Sequence, residues 1–111
     1  MKRIICCRFG DKFTQWHVDN LKHMIDTYSG IEYDEFVVIE EDLYGNWYNK
    51  LQMYDKFRDG ENLYFDLDVV ITEHIDSFFT YEEDSKVVLM RDFNLTTQGF
   101  NSSIMRFNNE V

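Results

Sequence analysis

The sequence predicts a single α/β domain built on an open, mainly parallel β-sheet with short helices. Short apolar runs alternate with amphipathic segments in the order strand–helix–strand–helix–strand, which favours parallel strands joined by right-handed crossovers. The length of 111 residues allows one hydrophobic core, and the content of 44% hydrophobic and 17% aromatic residues indicates a packed globule. Polar residues follow the apolar runs, as in sheets that bind ligands beyond the ends of their strands.

The first part of the chain predicts a strand and a helix. Arg3 to Cys7 is a short apolar strand that ends before the turn residues Gly10-Asp11. Thr14 is the predicted N-cap of the helix that follows, and Ser29-Gly30 is its predicted end. One face of this helix is apolar and holds Leu21, Met24, Ile25 and Tyr28.

The remaining chain predicts four more strands and a second helix. The second strand, Phe36 to Ile39, ends in the acids Glu40-Glu41-Asp42, and the second helix runs from Gly45-Asn46 to Arg58-Asp59-Gly60. The apolar face of this helix holds Trp47, Leu51, Tyr54 and Phe57. The third strand is the apolar run Leu63 to Ile71. It is followed by a helical turn at 73–79, an acidic loop at 81–85, a fourth strand at Val87 to Met90 and a weaker fifth strand at Ser103 to Phe107.

The third strand carries an unusual pair of acids, Asp66 and Asp68. Residues two apart in an extended strand share one face, so both carboxylates are predicted to lie together. With 21 acidic residues, roughly four acid-x-acid pairs are expected from composition alone. This pair differs because apolar residues flank it on both sides. Two neighbouring, partly desolvated carboxylates repel unless a cation lies between them, which predicts a divalent metal site at the end of this strand.

Composition excludes several classes of function. The formal charge of −10 disfavours nucleic-acid binding, which requires a basic surface. No apolar run approaches the ~20 residues of a membrane span, and the first residues are too short an apolar run for a signal peptide, so a cytoplasmic location is expected. Adjacent Cys6 and Cys7 should point to opposite faces of a strand and stay reduced. His17 and His23 are interpreted as surface or packing residues rather than ligands.

Polar residues are predicted to converge where the strands end. They follow four strands, at Cys7-Arg8, Glu41-Asp42, Asp66-Asp68 and Arg91-Asp92. In open α/β sheets this edge is where ligands bind. Lys50 lies near the start of the second helix, where the helix dipole disfavours a cation. Either an anionic partner across the edge explains Lys50, or the side chain extends into solvent; the sequence leaves both open.

Five motifs in this order resemble a group of bacterial and phage glycosyltransferases. They are Cys7-x-x-Gly10-x-Lys12-Phe13, Trp47-Tyr48-Asn49-Lys50-Leu51, the run 63–71, Arg91-Asp92-Phe93 and Asn101-Ser102-Ser103-Ile104-Met105. That group has the Rossmann-like GT-A fold and is similar in these motifs to family 8 and glycogenin-like enzymes. The resemblance covers nearly the whole chain. Departures from the group's pattern are Glu40-Glu41-Asp42 at the second strand end and Trp47-Tyr48 in place of a Trp pair.

The resemblance implies a minimal GT-A core that binds a nucleotide sugar with Mn²⁺ or Mg²⁺, with UDP-glucose the expected donor. It implies that Asp66 and Asp68 hold the metal against the diphosphate. It further implies that Cys7, Arg8 and Phe9 line the nucleoside pocket and that Lys50 contacts the diphosphate. Asp92, Asn101 and Ser102 are implied to bind the hydroxyls of the donor sugar.

The resemblance assigns no catalytic base, nucleophile or acceptor to this chain. The group continues beyond Asn101-Ser102-Ser103 with a segment that contacts the acceptor, so we expect the chain to be truncated to its nucleotide-sugar-binding core. Without the segment that contacts the acceptor, we expect the donor to be hydrolysed rather than its sugar transferred, unless a second copy of the chain in a homo-oligomer supplies that segment.

Two alternative functions remain open at the sequence level. Tyr64 to Val70 also resembles the first motif of haloacid-dehalogenase-type phosphatases, with Asp66 as nucleophile and Asp68 as acid/base. That family places the motif near the start of its domain, whereas 43 residues follow Asp68 here. The other alternative is a non-catalytic remnant that binds a nucleotide or a sugar.

Overall fold

The structure, a computed structural model, describes residues 2–9, 13–41, 49–50, 52–57, 59–75, 87–91 and 100–108. Within these ranges the chain forms one five-stranded sheet and two α-helices. The strands are β1 (Lys2–Cys7), β2 (Glu35–Ile39), β3 (Glu61–Phe65), β4 (Val87–Arg91) and β5 (Phe100–Asn108). The helices are α1 (Gln15–Met24), which continues as a π-helical turn over Ile25–Ser29, and α2 (Gln52–Lys56).

The sheet is mixed, with the strand order β2-β1-β3-β5-β4. β1 pairs in parallel with β2 and with β3, whereas β5 pairs antiparallel with β3 and with β4. Four strands therefore run in one direction and β5 runs against them. The structure is compatible with the predicted α/β class, a mainly parallel sheet with short helices, and it adds one antiparallel strand, β5, that the sequence analysis did not predict. Because β5 is reversed, its amino end lies at the same edge as the carboxyl ends of the other strands.

The two helices cover opposite faces of the sheet. One buried cluster joins α1 to β1 and β3, and its members include Ile4, Cys6, Val18, Leu21, Leu63 and Phe65. A second cluster joins α2 to the other face, and its members include Ile5, Cys7, Met53, Tyr64, Met105 and Phe107. Cys6 and Cys7 thus lie on opposite faces as free thiols, as predicted. Among the described residues, no helix is long and apolar enough to cross a membrane.

Both predicted ends of α1 are confirmed. The Thr14 N–H donates to Nδ1 of His17 at 3.0 Å, so a histidine takes the place of the Glu or Gln that commonly closes a helix start. His17 also makes edge-on contacts with Phe13 and Trp16, which fits its interpretation as a packing residue. After the π-helical turn, the chain leaves the helix at Gly30 with φ of 73°.

The buried side chain of Arg3 links β1 to its two parallel neighbours, β2 and β3. Arg3 pairs in register with Glu35 of β2 and Asn62 of β3. Its guanidinium donates to the Asn62 Oδ1 at 3.0 Å, to the Asp59 carbonyl at 2.8 Å and to the Glu35 carboxylate at 3.1 Å. It also stacks over the Phe57 ring at 4.9 Å. The polar side chain is thereby satisfied in a position that is only 6% exposed.

Several element bounds differ from the predictions. β5 begins three residues earlier than expected, at Phe100, and β2 is only partly buried because it is an edge strand. Residues 49–50 form a 3₁₀ turn and α2 begins at Gln52, with Tyr54 and Phe57 packed on the second cluster as predicted. Residues 73–75 are not helical. The predictions for Asp42, Gly45-Asn46, Trp47, Leu51, the acidic loop and residues 76–79 lie outside the described residues.

Candidate functional site

The candidate site lies where the connections after β1 and β3 diverge. The chain leaves β1 toward α1 on one face and returns in β2, while the connection from β2 to β3 uses α2 on the opposite face. In the order β2-β1-β3, the crevice between the carboxyl ends of β1 and β3 is thus a topological switch point, the usual ligand site of open α/β sheets. Arg8 and Asp66 directly follow these two strand ends.

The third strand ends earlier than the sequence predicts. β3 stops at Phe65, and the Asp66 N–H then donates to the Ser103 carbonyl at 2.8 Å. The Asp66 carbonyl accepts from the Val69 N–H at 3.2 Å, which closes a turn through residues 67–68. The prediction that Asp66 and Asp68 share one face of an extended strand is therefore wrong. Asp66 instead precedes the turn, and Asp68 lies within it and is exposed.

Two donors converge on one oxygen of Asp66. The Tyr64 hydroxyl donates to Oδ1 at 2.6 Å, and the Lys50 ammonium donates to the same atom at 3.1 Å. Oδ2 makes no such bond within the described part of the chain. The Asp66 side chain is 28% exposed, so this second oxygen remains accessible to a ligand.

Lys50 is buried and lies in the turn that precedes α2. It is 8% exposed, and its ammonium stands 5.1 Å from the centre of the Tyr64 ring. Of the two alternatives left open for Lys50, the structure favours the paired one: the side chain is buried rather than solvated, and it pairs with the carboxylate of Asp66. Its contact with a diphosphate stays a prediction. Pairing the two charges limits the free-energy cost of desolvating either one.

The position of Lys50 depends on buried amides that the sequence analysis missed. Gln52 is 1% exposed, and its Nε2 donates to the Glu41 carbonyl at 2.6 Å and to the Asn49 Oδ1 at 3.0 Å. These bonds attach the start of α2 to the end of β2. A buried Gln and Asn beside each other had no distinguishing pattern in the sequence, since both types are usually exposed.

Tyr64 is the second residue that sequence reasoning missed. It lies two residues before Asp66 and is 2% exposed. Burial, with the nearby Asp66 charge, raises the pKa of its hydroxyl far above the ordinary value, so that it remains a hydrogen-bond donor. The alternation of a strand places Tyr64 and Asp66 on one side, so this pairing could have been predicted.

Cys7 forms an apolar part of the same site. It is 7% exposed, and burial raises the pKa of its thiol to about 11, with Tyr64 and Lys50 partly offsetting that rise. At neutral pH the thiol is protonated and behaves as a small apolar side chain. Phe9, which is partly buried, packs against the same cluster. The nucleoside side of the predicted site therefore has apolar surface.

Arg8 is engaged with the neighbouring strand end. Its backbone N–H donates to the Ile39 carbonyl at 2.9 Å, and its guanidinium pairs with the Glu40 carboxylate at 2.9 Å. No contact joins Arg8 to Asp66 among the described residues. In the same way Lys56 pairs with Glu41 at 3.2 Å. The carboxyl ends of β1 and β2 thus carry their own ion pairs beside the Asp66 cluster.

The predicted sugar-binding residues are only partly described. The backbone of Asn101 pairs with Met90, and Ile104 pairs with Phe65. The amino end of β5, which includes Asn101 and Ser102, therefore lies at the same edge as Asp66. Asp92 and the side chains of Asn101 and Ser102 lie outside the described residues.

Asp66 and Asp68 provide carboxylate oxygens, the ligand type that hard divalent cations take, although Oδ1 of Asp66 already accepts from Lys50 and Tyr64. The described residues contain no group of three or more His, Cys, Asp or Glu side chains that could hold a metal ion. Mg²⁺ is commonly held by one or two carboxylates together with substrate phosphates and water rather than by a complete protein cage. Two carboxylates with one accessible Asp66 oxygen match that mode. They do not match a closed structural site.

The sequence matches no protein-family model and no curated protein. The basis for a function is therefore the resemblance carried by the five motifs, together with the geometry and charge of the site.

Proposed function

We propose that this chain is the nucleotide-sugar-binding core of a metal-dependent glycosyltransferase, with UDP-glucose as the donor. The observation that supports it is the cluster of Lys50, Tyr64 and Asp66 at the switch point of the sheet. A buried ammonium beside a carboxylate that keeps one accessible oxygen offers both charges that a metal–diphosphate ligand needs.

Each described residue has a distinct role in this proposal. Asp66 and Asp68 hold the metal, and Tyr64 fixes the orientation of the Asp66 carboxylate through a 2.6 Å hydrogen bond. Lys50 binds the diphosphate, and Cys7 with Phe9 provides apolar surface for the nucleoside. When bound, the metal would neutralise charge on the departing diphosphate. Arg8, which pairs with Glu40, is proposed to line the nucleoside side of the site.

The remaining predicted contacts complete the donor site. Asp92, Asn101 and Ser102 are proposed to bind the sugar hydroxyls, on the basis that β5 begins at the same edge of the sheet. The formal charge of −10 would repel an anionic donor at long range. Local cations are therefore required, and Lys50, Arg8 and the metal are the proposed ones.

Calorimetry of uridine diphosphate tests the proposal directly. Binding should be much tighter with Mn²⁺ than with EDTA, because metal and diphosphate each need the charge of the other. Asp68→Asn should abolish that difference, whereas Asp19→Asn, which changes an exposed carboxylate on α1, should retain it. Equal affinity with and without metal in the wild-type protein would refute the assignment.

Product analysis then separates an enzyme from a binding protein. UDP-glucose incubated with Mn²⁺ should be hydrolysed slowly, with little transfer to simple sugars. Asn101→Ala and Asp92→Ala should lower hydrolysis more than they weaken binding of uridine diphosphate, which lacks the sugar. Metal-dependent binding with no turnover would instead identify a non-catalytic nucleotide-binding protein. A response only to phosphate mimics such as vanadate would favour the phosphatase alternative.

A further inference from the structure

We propose that the amino end of α1 is a binding surface for a neutral carbohydrate, with the exposed indole of Trp16 at its centre. The Trp16 surface consists of Trp16 and Asn20, together with the Gln15 amide that Asp19 holds beside them. Binding of a carbohydrate here does not depend on the proposed function. The identification of that carbohydrate as the glycosyl acceptor does rest on it.

Trp16 exposes a large apolar side chain. Among the described residues, the exposed large hydrophobic side chains are Trp16 at 65%, Tyr28 at 45% and Val70 at 74%. Trp16 has the largest of these side chains and lies in the first turn of α1, whereas Val18 and Leu21 of the same helix are buried against the sheet. An exposed indole provides a wide apolar face next to an N–H donor, a combination that suits a ligand with both apolar and polar groups.

Neighbouring side chains restrict the orientation of the indole. The His17 ring meets the Trp16 ring edge-on, with 5.2 Å between the ring centroids and an interplanar angle of 87°. His17 is held in turn, because its Nδ1 accepts from the Thr14 N–H at 3.0 Å and its ring meets the Phe13 ring at 5.2 Å. A side chain that is already ordered loses less conformational entropy when it binds. The indole is thus preorganised for a ligand.

Polar side chains border the indole on both sides. Asp19 lies three residues after Trp16 and Asn20 four residues after it, and residues at these spacings are neighbours on the surface of a helix. The Asp19 Oδ1 accepts from the Gln15 Nε2 at 3.0 Å, which holds a second amide at this position. The ring of a hexose has an apolar face of C–H groups and a rim of hydroxyls. The C–H groups fit the negative face of an aromatic ring, and the hydroxyls fit the donors and acceptors of the amides.

The Trp16 surface lies at the same edge of the sheet as the candidate site. The helical segment that begins as α1 ends at Ser29, shortly before β2 begins, and the Asp34 N–H donates to the Lys2 carbonyl at the start of β1. The carboxyl end of this segment therefore lies at the amino edge of the sheet. Its amino end, with Trp16, lies at the carboxyl edge. In the proposed function, a carbohydrate bound here is the acceptor for which the resemblance assigns no residue.

Charge separates a neutral carbohydrate from the other ligands that stack on indoles. Nucleic-acid bases stack on aromatic side chains, but a formal charge of −10 repels their phosphates. Organic cations are typically bound in cages of several aromatic rings, whereas Trp16 is bordered by amides. Binding of a cation to an acidic chain weakens as salt is added, and binding of a neutral sugar does not.

Saturation-transfer difference NMR of neutral hexose trisaccharides tests the surface on the full chain, without metal or nucleotide. The probes are maltotriose, cellotriose and mannotriose. At least one should bind with a dissociation constant of about 1–10 mM, because an open surface covers less of a ligand than a pocket does. Trp16→Ala should weaken this binding about fivefold or more, and Trp16→Phe should weaken it less because a smaller aromatic face remains. Asn20→Ala should weaken it about twofold or more, through the loss of a hydrogen bond to a hydroxyl.

The helical segment offers a matched control at its other end. Tyr28 is also an exposed aromatic residue, and its ring meets the His23 ring edge-on at 6.4 Å. Tyr28→Ala should keep trisaccharide binding within about twofold of wild type, because a singly exposed apolar side chain is ordinary on a protein surface. Wild-type binding should also change by less than about twofold between ~50 and ~500 mM NaCl, as expected for a neutral ligand. Thermal denaturation of each variant checks that the fold is intact.

The outcomes separate this inference from the proposed function. No saturation transfer to any of the three trisaccharides, unchanged binding in Trp16→Ala, an equal loss in Tyr28→Ala, or binding that disappears at high salt would overturn the carbohydrate surface. Self-association of the wild-type chain that Trp16→Ala abolishes in sedimentation would also overturn it, since a second copy would then cover the indole. If uridine diphosphate still bound with metal in such a case, the proposed function would stand without it. Conversely, Trp16-dependent sugar binding with no nucleotide binding would support the surface and reject the proposed function.

Discussion

Tyr64→Phe removes the shortest hydrogen bond to Asp66 and leaves the ring in place. The hydroxyl donates to Oδ1 at 2.6 Å, and the Tyr64 side chain is buried within the second apolar cluster. Since the pKa of Tyr64 is raised far above its usual range, the hydroxyl is protonated throughout neutral pH. The substitution therefore tests one charge-assisted hydrogen bond, without a change in protonation.

The expected loss of stability follows from the environment of Asp66. A hydrogen bond to a charged group contributes ~1.5–3 kcal/mol. The Asp66 side chain is 28% exposed, so water replaces part of the lost interaction. We therefore expect the free energy of unfolding to fall by about 1–1.5 kcal/mol, at or just below the lower limit of that range. Lys50 stays paired with Asp66 in the variant, so the carboxylate is not left without a partner.

Urea denaturation of four proteins isolates the interaction. These are wild type, Tyr64→Phe, Asp66→Ala and the double variant, which form a double-mutant cycle with an expected coupling of about 1 kcal/mol. Tyr54→Phe is the matched control, because among the described residues the Tyr54 hydroxyl meets only the weak acceptor Sδ of Met105, at 3.6 Å. Additivity within ~0.5 kcal/mol, or an equal loss in Tyr54→Phe, would refute the reasoning.

Three further substitutions or conditions test the fold around the site. Arg3→Met should lower the free energy of unfolding by about 2–3 kcal/mol, because the buried Asn62 oxygen loses its donor; urea denaturation measures this. Gly30→Ala should lower it by ~1–2 kcal/mol in thermal denaturation, because φ of 73° is unfavourable for a residue with a Cβ. Alkaline pH should destabilise the protein through Cys6 and Cys7, whose pKa values burial raises from 9.0 to about 12 and about 11. The unfolded thiols ionise first, so this stabilisation is complete below pH 9 and is lost as pH rises through 11 in equilibrium unfolding measurements.

Each of these predictions has an internal control. Glu35→Gln should change stability by less than ~0.5 kcal/mol, because its pair with Arg3 is half exposed on the Glu35 side. Because a Cβ at position 30 would lie 2.9 Å from the His74 ring, Gly30→Ala in a His74→Ala background should recover the part of the loss that comes from this contact and retain the part that comes from φ. Cys7→Ala should flatten the alkaline decline, and an unchanged slope would exclude the thiol as its source.

The sequence predicted the elements that local chemistry specifies. The strands at Lys2–Cys7 and Val87–Arg91 are short β-branched and apolar runs, and the bounds of α1 follow from a capping threonine and a terminal glycine. Those signals act within a few residues, so they could be interpreted without the fold. The direction of β5 could not be predicted, because nothing in an apolar run distinguishes a parallel from an antiparallel neighbour.

The end of β3 shows a second limit of pattern reasoning. Residues 67–71 are almost wholly apolar, which favours a continuous strand. In the structure Leu67 and Ile71 are buried against α1, while Val70 is 74% exposed. The strand therefore ends before the turn at 67–68, and the apolar residue Val70 lies on the surface, although residues 67–71 continue the apolar composition of the strand. Burial of apolar residues from a turn gives the same sequence pattern as burial from a strand.

The candidate site, like the end of β3, could be predicted only in part. That Lys50 has an anionic partner could be inferred from its place near a helix start, because the helix dipole disfavours a cation there. The identity of that partner, Asp66, could not be inferred, because Lys50 and Asp66 come together only where the start of α2 lies next to the end of β3. The metal, nucleotide and sugar contacts remain predictions.

The internal ion pair changes how the acid pair should be understood. From sequence alone, Asp66 and Asp68 appeared to require an external cation to offset their repulsion. The structure supplies a cation from the chain itself, and the turn at 67–68 places Asp68 in solvent. The repulsion between the two carboxylates is therefore not by itself an argument for a metal, because Lys50 offsets the charge of Asp66 and water screens that of Asp68. The same arrangement shows why an acid-x-acid pair in an apolar run is a weaker signal than the sequence alone indicates: the cation that balances it can come from a residue distant in the chain.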